Sequence, residues 1–485
     1  VVYAGYGLVV PSQGDQEEYD SYVHLDVKDK WVMVFRYLPE DLSDKKRQHL
    51  NRSASLRYKA MLARERGAKG LLIVSGPNSK VRHELPKLRI DATLAGTSMA
   101  VIAITDDAAQ KLLDPSGKKL KKLQDSLDSG HMSMGFELKG PKLSATIDIK
   151  QEKKFGRNVL ARLSTGYPEH PPLMIGAHID HLGYGFHGKS LGAGDKAIHY
   201  GADDNASGVA SVLEIAQAIA SEIKSGRLHA KRDLIVALWS GEEIGLLGSN
   251  HYANLALSKE SNTDQNRALA AYINLDMVGR LEEKLVLQGI GSSPAWVDEI
   301  ERRNVPVGLS IALQNDSYLP TDATPFYIKG IPILSAFTGA HKDYHTPRDT
   351  YDKINVEGHY DITRLMHLIS RSLMQREDLI AYQSMKRPEN MEKRGMMRAY
   401  LGTIPDYSGG DTKGVLLSGV AKGGPAEKAG VKDGDTIIGL GGKKIENIYD
   451  YTYAIEALKI DQETSIKVKR GDQEIELKVV PGSRE

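Results

Sequence analysis

The chain is 485 residues long and carries 64 Lys and Arg against 63 Asp and Glu, a formal charge of +1. At about 100–200 residues per domain, two to four domains are expected, and near-neutrality argues against a generally basic nucleic-acid binder or an acidic solvating tail. There is no cysteine, which excludes disulfides, thiolate zinc sites and cysteine nucleophiles, so any metal site must be built from His, Asp and Glu.

The chain opens at Val1 with a β-like run, Val-Val-Tyr-Ala-Gly-Tyr-Gly. It shows neither the charged start nor the apolar stretch of a signal peptide, so a processed or truncated chain is expected. No run of about 18 apolar residues occurs, and no integral membrane segment is expected. Residues 1–140 alternate short β-like runs (Trp31 to Tyr37, Gly70 to Ser75, Ala100 to Ile104) with helical stretches, one of them running from Leu56 to Arg66 and stopping at Gly67. The basic run Lys118, Lys119, Lys121, Lys122 is flanked by acids and reads as a solvated helix face.

Residues 141–384 have a different grammar. Leu173 to Ala177, Leu234 to Trp239, Tyr272 to Leu275 and Ile331 to Phe337 are continuous apolar runs, as in strands buried on both faces. Helical patterns at Ala206 to Ile223 and Val356 to Leu373 lie between or after them. That alternation predicts an α/β three-layer sandwich around a mostly parallel sheet, with ligands beyond the carboxyl ends of the strands. Residues 385–398 are polar and charged, with Pro388, and read as a linker. Residues 399–485 return to short β-like runs punctuated by Gly-Gly-Pro at 423–425 and Gly-Asp at 434–435 and 471–472. A small β-rich module is predicted there.

Each apolar run of the middle region is followed by residues that can hold a metal. His178 and Asp180 follow the first; Glu242 and Glu243 follow the second; Asp276 follows the third; and Asp343-Tyr344-His345 comes after the last. Gly201-Ala-Asp-Asp-Asn-Ala-Ser-Gly208 opens a helix between the first two. Singly, each has an ordinary reading: a loop histidine, N-cap residues at Asp203 to Asn205, a solvent-facing acid pair. Jointly they gather carboxylates at one sheet edge, where mutual repulsion is relieved by a divalent cation. Hard oxygen donors with imidazole suit Zn2+.

These residues carry a resemblance. Gly-Ala-His-Ile-Asp-His, Gly-Ala-Asp-Asp-Asn-Ala-Ser-Gly, Ser-Gly-Glu-Glu-Ile-Gly-Leu-Leu-Gly-Ser, Asn-Leu-Asp-Met and Tyr-His-Thr-Pro-Arg-Asp-Thr resemble the motifs of the zinc aminopeptidase family that includes bacterial leucyl aminopeptidases and the glutamate carboxypeptidase and transferrin-receptor group. The resemblance implies the zinc exopeptidase fold with two Zn2+ per chain and a peptide substrate. It makes His178 and Asp276 ligands of one ion, Glu243 and His345 ligands of the other, and Asp204 the bridging carboxylate. Glu242 becomes the general base and Asp180 the carboxylate that orients the His178 imidazole. Tyr344 matches a tyrosine that steadies the oxyanion in some relatives, while others use a different one. His181, His187 and His199 are read as loop histidines lining the pocket, a third metal or a substrate contact being the other reading; Asp203 is read as a support of its loop and Asp322 as ordering the pocket wall. Arg280 has two open readings, a substrate carboxylate or a local acid.

The N-terminal region resembles the α+β protease-associated domain often inserted in this family, through Ala-Gly-Tyr-Gly-Leu at 4–8 and Gly-Ala-Lys-Gly-Leu-Leu-Ile-Val at 67–74 among other runs. In relatives such a domain forms part of a lid. The C-terminal module resembles a PDZ domain of the bacterial protease type, on Gly-Gly-Pro-Ala-Glu-Lys-Ala-Gly-Val-Lys-Asp-Gly-Asp-Thr-Ile-Ile. Tyr400, Leu401 and Gly402 fall where such domains capture a C-terminal carboxylate and add a peptide strand; a module that props the catalytic domain is the other reading. The activity expected is that of a secreted, periplasmic or cell-surface aminopeptidase. Its rivals are a carboxypeptidase or dipeptidase on the same scaffold, a non-catalytic peptide-binding receptor or scaffold, and a glutaminyl cyclase.

Overall fold

The computed structural model describes the chain except residues 13–15, 52, 82–83, 87–98, 132–133, 149, 151–153, 186–189, 192–196, 258–266, 386–398, 406–412, 422, 447 and 484–485. His187 and all but the first residue of the expected linker 385–398 lie outside the described residues.

The centre of the molecule is a seven-stranded sheet in the order Ile311–Gln314, Leu285–Gln288, Ile333–Phe337, Ala271–Leu275, Leu173–His178, Leu234–Trp239, Val159–Leu163. The four strands from Ile333–Phe337 to Leu234–Trp239 pair in parallel. Val159–Leu163 closes one side antiparallel, and Leu285–Gln288 pairs antiparallel with Ile333–Phe337. The sheet is therefore mixed, with a parallel heart.

Continuous apolar runs arise because both faces of those strands are covered. In Leu173–His178, Leu173, Ile175 and Ala177 enter a cluster with Val212, Ile215 and Ile219 of helix Gly208–Lys224 and with Ile362, Leu365 and Ile369 of helix Val356–Gln375. Met174 points the other way, into a cluster with Trp239, Tyr272, Phe326 and Tyr327. Successive side chains of a strand face opposite sides, so each strand feeds both layers. Asn355 caps the second helix, its side chain accepting a bond from the Gly358 amide at 3.0 Å.

The N-terminal region builds its own sheet, Ala100–Ile104, Gly70–Val74, Trp31–Phe35, Val2–Tyr3, Phe136–Glu137, with helices packed around two clusters of its own. Helix Leu56–Glu65 ends at Arg66, followed by Gly67 at φ +76°. The basic run lies at the start of helix Leu120–Asp128, where Lys121 pairs with Asp125 at 2.8 Å. The C-terminal region is a β-rich unit with sheet order Thr403–Pro405, Val415–Val420, Thr436–Leu440, Thr464–Arg470, Gln473–Val479. It has a short helix Pro425–Ala429 that ends at Gly430 (φ +90°) and a second helix, Ile448–Ala457. No helix among the described residues is long and apolar enough to cross a membrane.

Candidate active site

Four parallel neighbours end on one edge, and that edge gathers the site. His178 is the last residue of its strand, Asp276 follows Ala271–Leu275 directly, and Glu242 and Glu243 lie three and four residues beyond Trp239. His345 sits in the loop after Ile333–Phe337. Asp204 comes from the irregular helical turn Ala202–Ser207 that leads into helix Gly208–Lys224. Asn205 ties this turn to the sheet: its Nδ2 donates to the Leu275 carbonyl at 3.0 Å, and its Oδ1 accepts from the amides of Gly208 at 3.0 Å and Met277 at 3.2 Å. Met277 (φ +51°) and His345 (φ +54°) hold the left-handed backbone region, an unfavourable setting for non-glycine residues that clusters at functional sites.

Asp204 faces two ways. Its Oδ1 is 3.1 Å from His178 Nε2, which is also 3.5 Å from Asp276 Oδ1. Its Oδ2 is 3.2 Å from His345 Nε2, which is 3.3 Å from Glu243 Oε2. Two groups of donors with cation-holding spacing result, His178–Asp204–Asp276 and His181–Asp204–Glu243. The histidine of the second group is His181, expected first as a pocket-lining loop histidine and only second as a metal contact. His181 Nδ1 lies 2.8 Å from Glu243 Oε1 and 3.7 Å from Asp204 Oδ2, so His181 and His345 flank the same carboxylates. Its place three residues after His178 in Gly-Ala-His-Ile-Asp-His was the available signal.

Supporting contacts refine other expectations. The His178 Nδ1 hydrogen-bonds the Asp180 backbone carbonyl at 2.9 Å, while the Asp180 carboxylate is 3.9 Å away. That carboxylate instead accepts from the amides of Glu242 at 3.0 Å and Glu243 at 3.2 Å. Asp180 thus aims the glutamate pair with its side chain and the imidazole with its main chain. Asp349, not singled out from sequence, accepts from the amides of Asp203 and Asp204 at 2.9 and 3.1 Å. Arg280 pairs with Asp349 at 3.1 Å and approaches Asp343 at 3.7 Å, which selects the local acids as its partners. Asp203 accepts from the Gly279 amide at 2.7 Å and the Ser207 hydroxyl at 3.0 Å, and holds its loop. Tyr344 stacks on the His345 ring with centroids 3.8 Å apart. Asp322 is buried and accepts a hydrogen bond from Ser249.

The electrostatics reflect crowded acids in a desolvated edge. Burial pushes Glu242 up to about 9, with Asp276, Asp322 and Glu243 adding repulsion against the relief given by His178. Burial likewise raises Asp322 to about 7. At Glu243 burial is outweighed by hydrogen bonds from His181 and His345, which hold it at about 2. At His345 burial is outweighed by Asp204 and Glu243, which carry it to about 9. The donor chemistry fits divalent cations: carboxylates and imidazoles are all within 4.8 Å in each group, and His, Asp and Glu are the oxygen and nitrogen ligands that zinc takes.

Beside the clusters is a cavity of about 270 Å³, lined by His178, Asp204, Glu242, Asp276, Tyr344 and His345, by apolar Met277, Phe337 and Ala340, and by Thr403, Ile404 and Pro405 of the C-terminal unit. Of the expected peptide-capture residues, Leu401 is buried in the C-terminal core, and Tyr400 lies in the short strand Ala399–Tyr400 paired with Gly482–Ser483. Gly402 adopts φ +78° and its carbonyl accepts from the Ala421 amide at 2.6 Å.

A mixed sheet whose parallel heart carries paired histidine–carboxylate clusters at its C-terminal edge suits a metallopeptidase. Residues 158–369 match the model described as peptidase family M28, and residues 389–480 match that of the PDZ domain, so the chain joins an M28 peptidase domain to a PDZ domain. Residues 1–157 lie outside both matches. Among curated proteins, a probable leucine aminopeptidase 2 of Aspergillus fumigatus is 30% identical over 206 residues, 40% of this chain and 35% of that protein. An aminopeptidase of Pseudomonas aeruginosa is 28% identical over 208 residues, 41% of this chain and 34% of that one. The matched segment thus spans about a third of each relative. Among solved structures, an aminopeptidase from Aneurinibacillus sp. strain AM-1 is 20% identical with a TM-score of 0.42, covering 80% of this chain and 78% of that chain.

Proposed function

We propose that the chain is a two-zinc exopeptidase that removes N-terminal residues from peptides. His178 and Asp276 would hold one ion, Glu243 and His345 the other, and Asp204, which faces both histidines, would serve both; its two faces support that reading. His181 keeps Glu243 in place from its far side. Bound zinc supplies Lewis acidity and an activated water. Glu242 lines the cavity beside the ligands; the charge of bound ions would offset the burial that raises it, so that its carboxylate can take a proton and return it to the leaving amine. Tyr344, propped against His345, serves the developing oxyanion. The N-terminal unit acts as a protease-associated-like lid, and Tyr400, Leu401 and Gly402 form the PDZ carboxylate-capture loop for a C-terminal peptide ligand.

One observation carries the choice of aminopeptidase over carboxypeptidase. Among the described residues the cavity lining holds Asp204, Glu242 and Asp276 but neither Lys nor Arg. With Asp204 and Asp276 committed to the ions, their charge is neutralised; what counts against a carboxypeptidase is that a terminal carboxylate finds no Arg or Lys partner in that lining. Peptides of one sequence, prepared free, N-acetylated and C-amidated, test this. The free and amidated forms should be cleaved and the acetylated form spared; the opposite pattern would assign a carboxypeptidase.

A further inference from the structure

Three consecutive residues of the PDZ domain line the cavity of the peptidase domain. Thr403, Ile404 and Pro405 share it with His178, Glu242 and His345, although more than 50 residues separate them in sequence from the nearest of these. Thr403–Pro405 is the end strand of its sheet, and its register shifts between Ile404 and Pro405. A regular strand sends neighbours to opposite faces; an irregularity re-aims a side chain, which allows consecutive residues to meet one cavity. The strand is also held firmly. Ile404 is 6% exposed, and its carbonyl accepts from the Ser418 hydroxyl at 3.2 Å. In the adjacent strand, a Cβ at Gly419 would stand 3.6 Å from the Ile404 Cδ1 and 3.7 Å from the Cβ of Lys342, in the loop that carries His345. On another side, helix Ile448–Ala457 packs against helix Asp44–Asn51 of the N-terminal unit.

We infer that the PDZ strand is a specificity element of the peptidase site: Ile404 and Pro405 form the wall that meets the side chain of the substrate's first residue and restrict it to apolar side chains of limited size. The inference rests on the aminopeptidase reading above. The proposed ion ligands and Glu242 occupy one part of the lining, where the reacting chain end is placed, and Met277, Phe337, Ile404 and Pro405 supply the apolar part. Burial of an apolar side chain against such a wall is favourable in proportion to the area covered, while a charged one is desolvated without a partner.

The test uses the full zinc-loaded chain and a panel of alanyl, leucyl, phenylalanyl, lysyl and glutamyl nitroanilides. Ile404→Ala should raise the phenylalanyl-to-leucyl ratio of kcat/KM by about 10-fold or more, the scale of discrimination that methylene-sized changes in a pocket produce. Ile404→Asp should raise the lysyl-to-leucyl ratio, a gain that a misfolded protein cannot show. A uniform change across the panel, with wild-type aminopeptidase activity intact, overturns the inference alone. A wild type inactive on every free amine overturns the underlying reading and the inference with it. A second variant tests the docking itself. In this cysteine-free chain, Lys342→Cys with Gly419→Cys places two Cβ atoms within the about 3.5–4.5 Å span of a disulfide. With oxidised glutathione as acceptor of the two electrons and two protons, an intramolecular disulfide should form and leucyl turnover should persist. No disulfide, or a disulfide that abolishes turnover, overturns the wall.

Discussion

Asp204 and Glu242 sit within one site yet should fail differently when altered. Asp204 offers separate oxygens to His178 and His345, so Asp204→Asn removes charge from both proposed ion positions. Zinc stoichiometry of the purified variant should fall below that of the wild type. Glu242 touches the cavity but belongs to neither donor group. Glu242→Gln should keep the metal content and lose turnover by about 100-fold or more, the usual weight of a positioned base; normal turnover would remove Glu242 from that role. The same shifts set the pH dependence of the protein after chelation. His345 titrates at about 9 when folded against about 6.5 unfolded. Its stabilisation is therefore full below about 6.5 and lost as pH rises through about 9. Glu242, raised to about 9, acts in the same direction, starting from its unfolded value of about 4.3. Glu243, held at about 2, contributes above about 4.3 and loses that contribution as pH falls through about 2. Chelated protein should thus melt highest in mildly acidic buffer and lower towards pH of about 9. Zinc, which binds deprotonated ligands, should flatten or reverse that decline in thermal scans. A chelated protein most stable near pH of about 9 would refute the sign.

At the scale of elements, the parallel heart of the sheet was legible because burial on both faces leaves a continuous apolar run, as in Leu173–His178 and Ala271–Leu275. Exposed or very short elements were not. Val159–Leu163 pairs on one side only, is largely exposed and contains Arg162, so it carries no burial pattern to read. Leu285–Gln288 and Ile311–Gln314 are only four residues each, too short for a period to register. Helix Leu247–Ala256 begins with Leu, Gly, Ser and Asn, and its stability comes from packing against Phe326's layer rather than from propensity. The site shows the same division. Residues adjoining strand ends could be found in the sequence, whereas the pairing of His181 with Glu243, of the Asp180 carboxylate with two amides, and of Asp349 with the Asp203–Asp204 turn depends on how loops meet in space. Gly201 shows one such meeting. It holds φ +61°, and a Cβ there would lie 2.3 Å from the Asp204 carbonyl oxygen and 2.7 Å from the His181 ring. Gly201→Ala should displace the turn that presents Asp204 and lower zinc affinity by about 10–100-fold, the range seen when supports of metal ligands are lost. Titration against a zinc-buffered indicator measures this, and unchanged affinity would show that the turn can yield at no cost to the site.

At the scale of the molecule, three sets of cores are joined by modest contacts. The N-terminal clusters, the two faces of the central sheet and the C-terminal cluster share no residue. Between the N- and C-terminal units run the packing of helix Asp44–Asn51 on helix Ile448–Ala457 and an exposed pair, Lys459 to Asp41 at 3.5 Å; such surface pairs stabilise little. Both candidate donor groups lie wholly on the central sheet's edge and its loops. A ligand stabilises the unit that binds it by mass action, about 2.7 kcal/mol for one site at a hundredfold excess over Kd. In a domain of about 150–250 residues, 1 kcal/mol moves the midpoint by about 2–4 °C. Calorimetry with and without a chelator should therefore shift one transition by about 5–10 °C and leave the others in place. The shifted transition belongs to the peptidase domain, and limited proteolysis at the new midpoint should cut there first. Should every transition move together, the contacts between units are stronger than their size suggests and the chain unfolds as one body. The PDZ wall of the substrate cavity would then be coupled to metal occupancy through the whole fold rather than through the docking of Gly419 on Lys342.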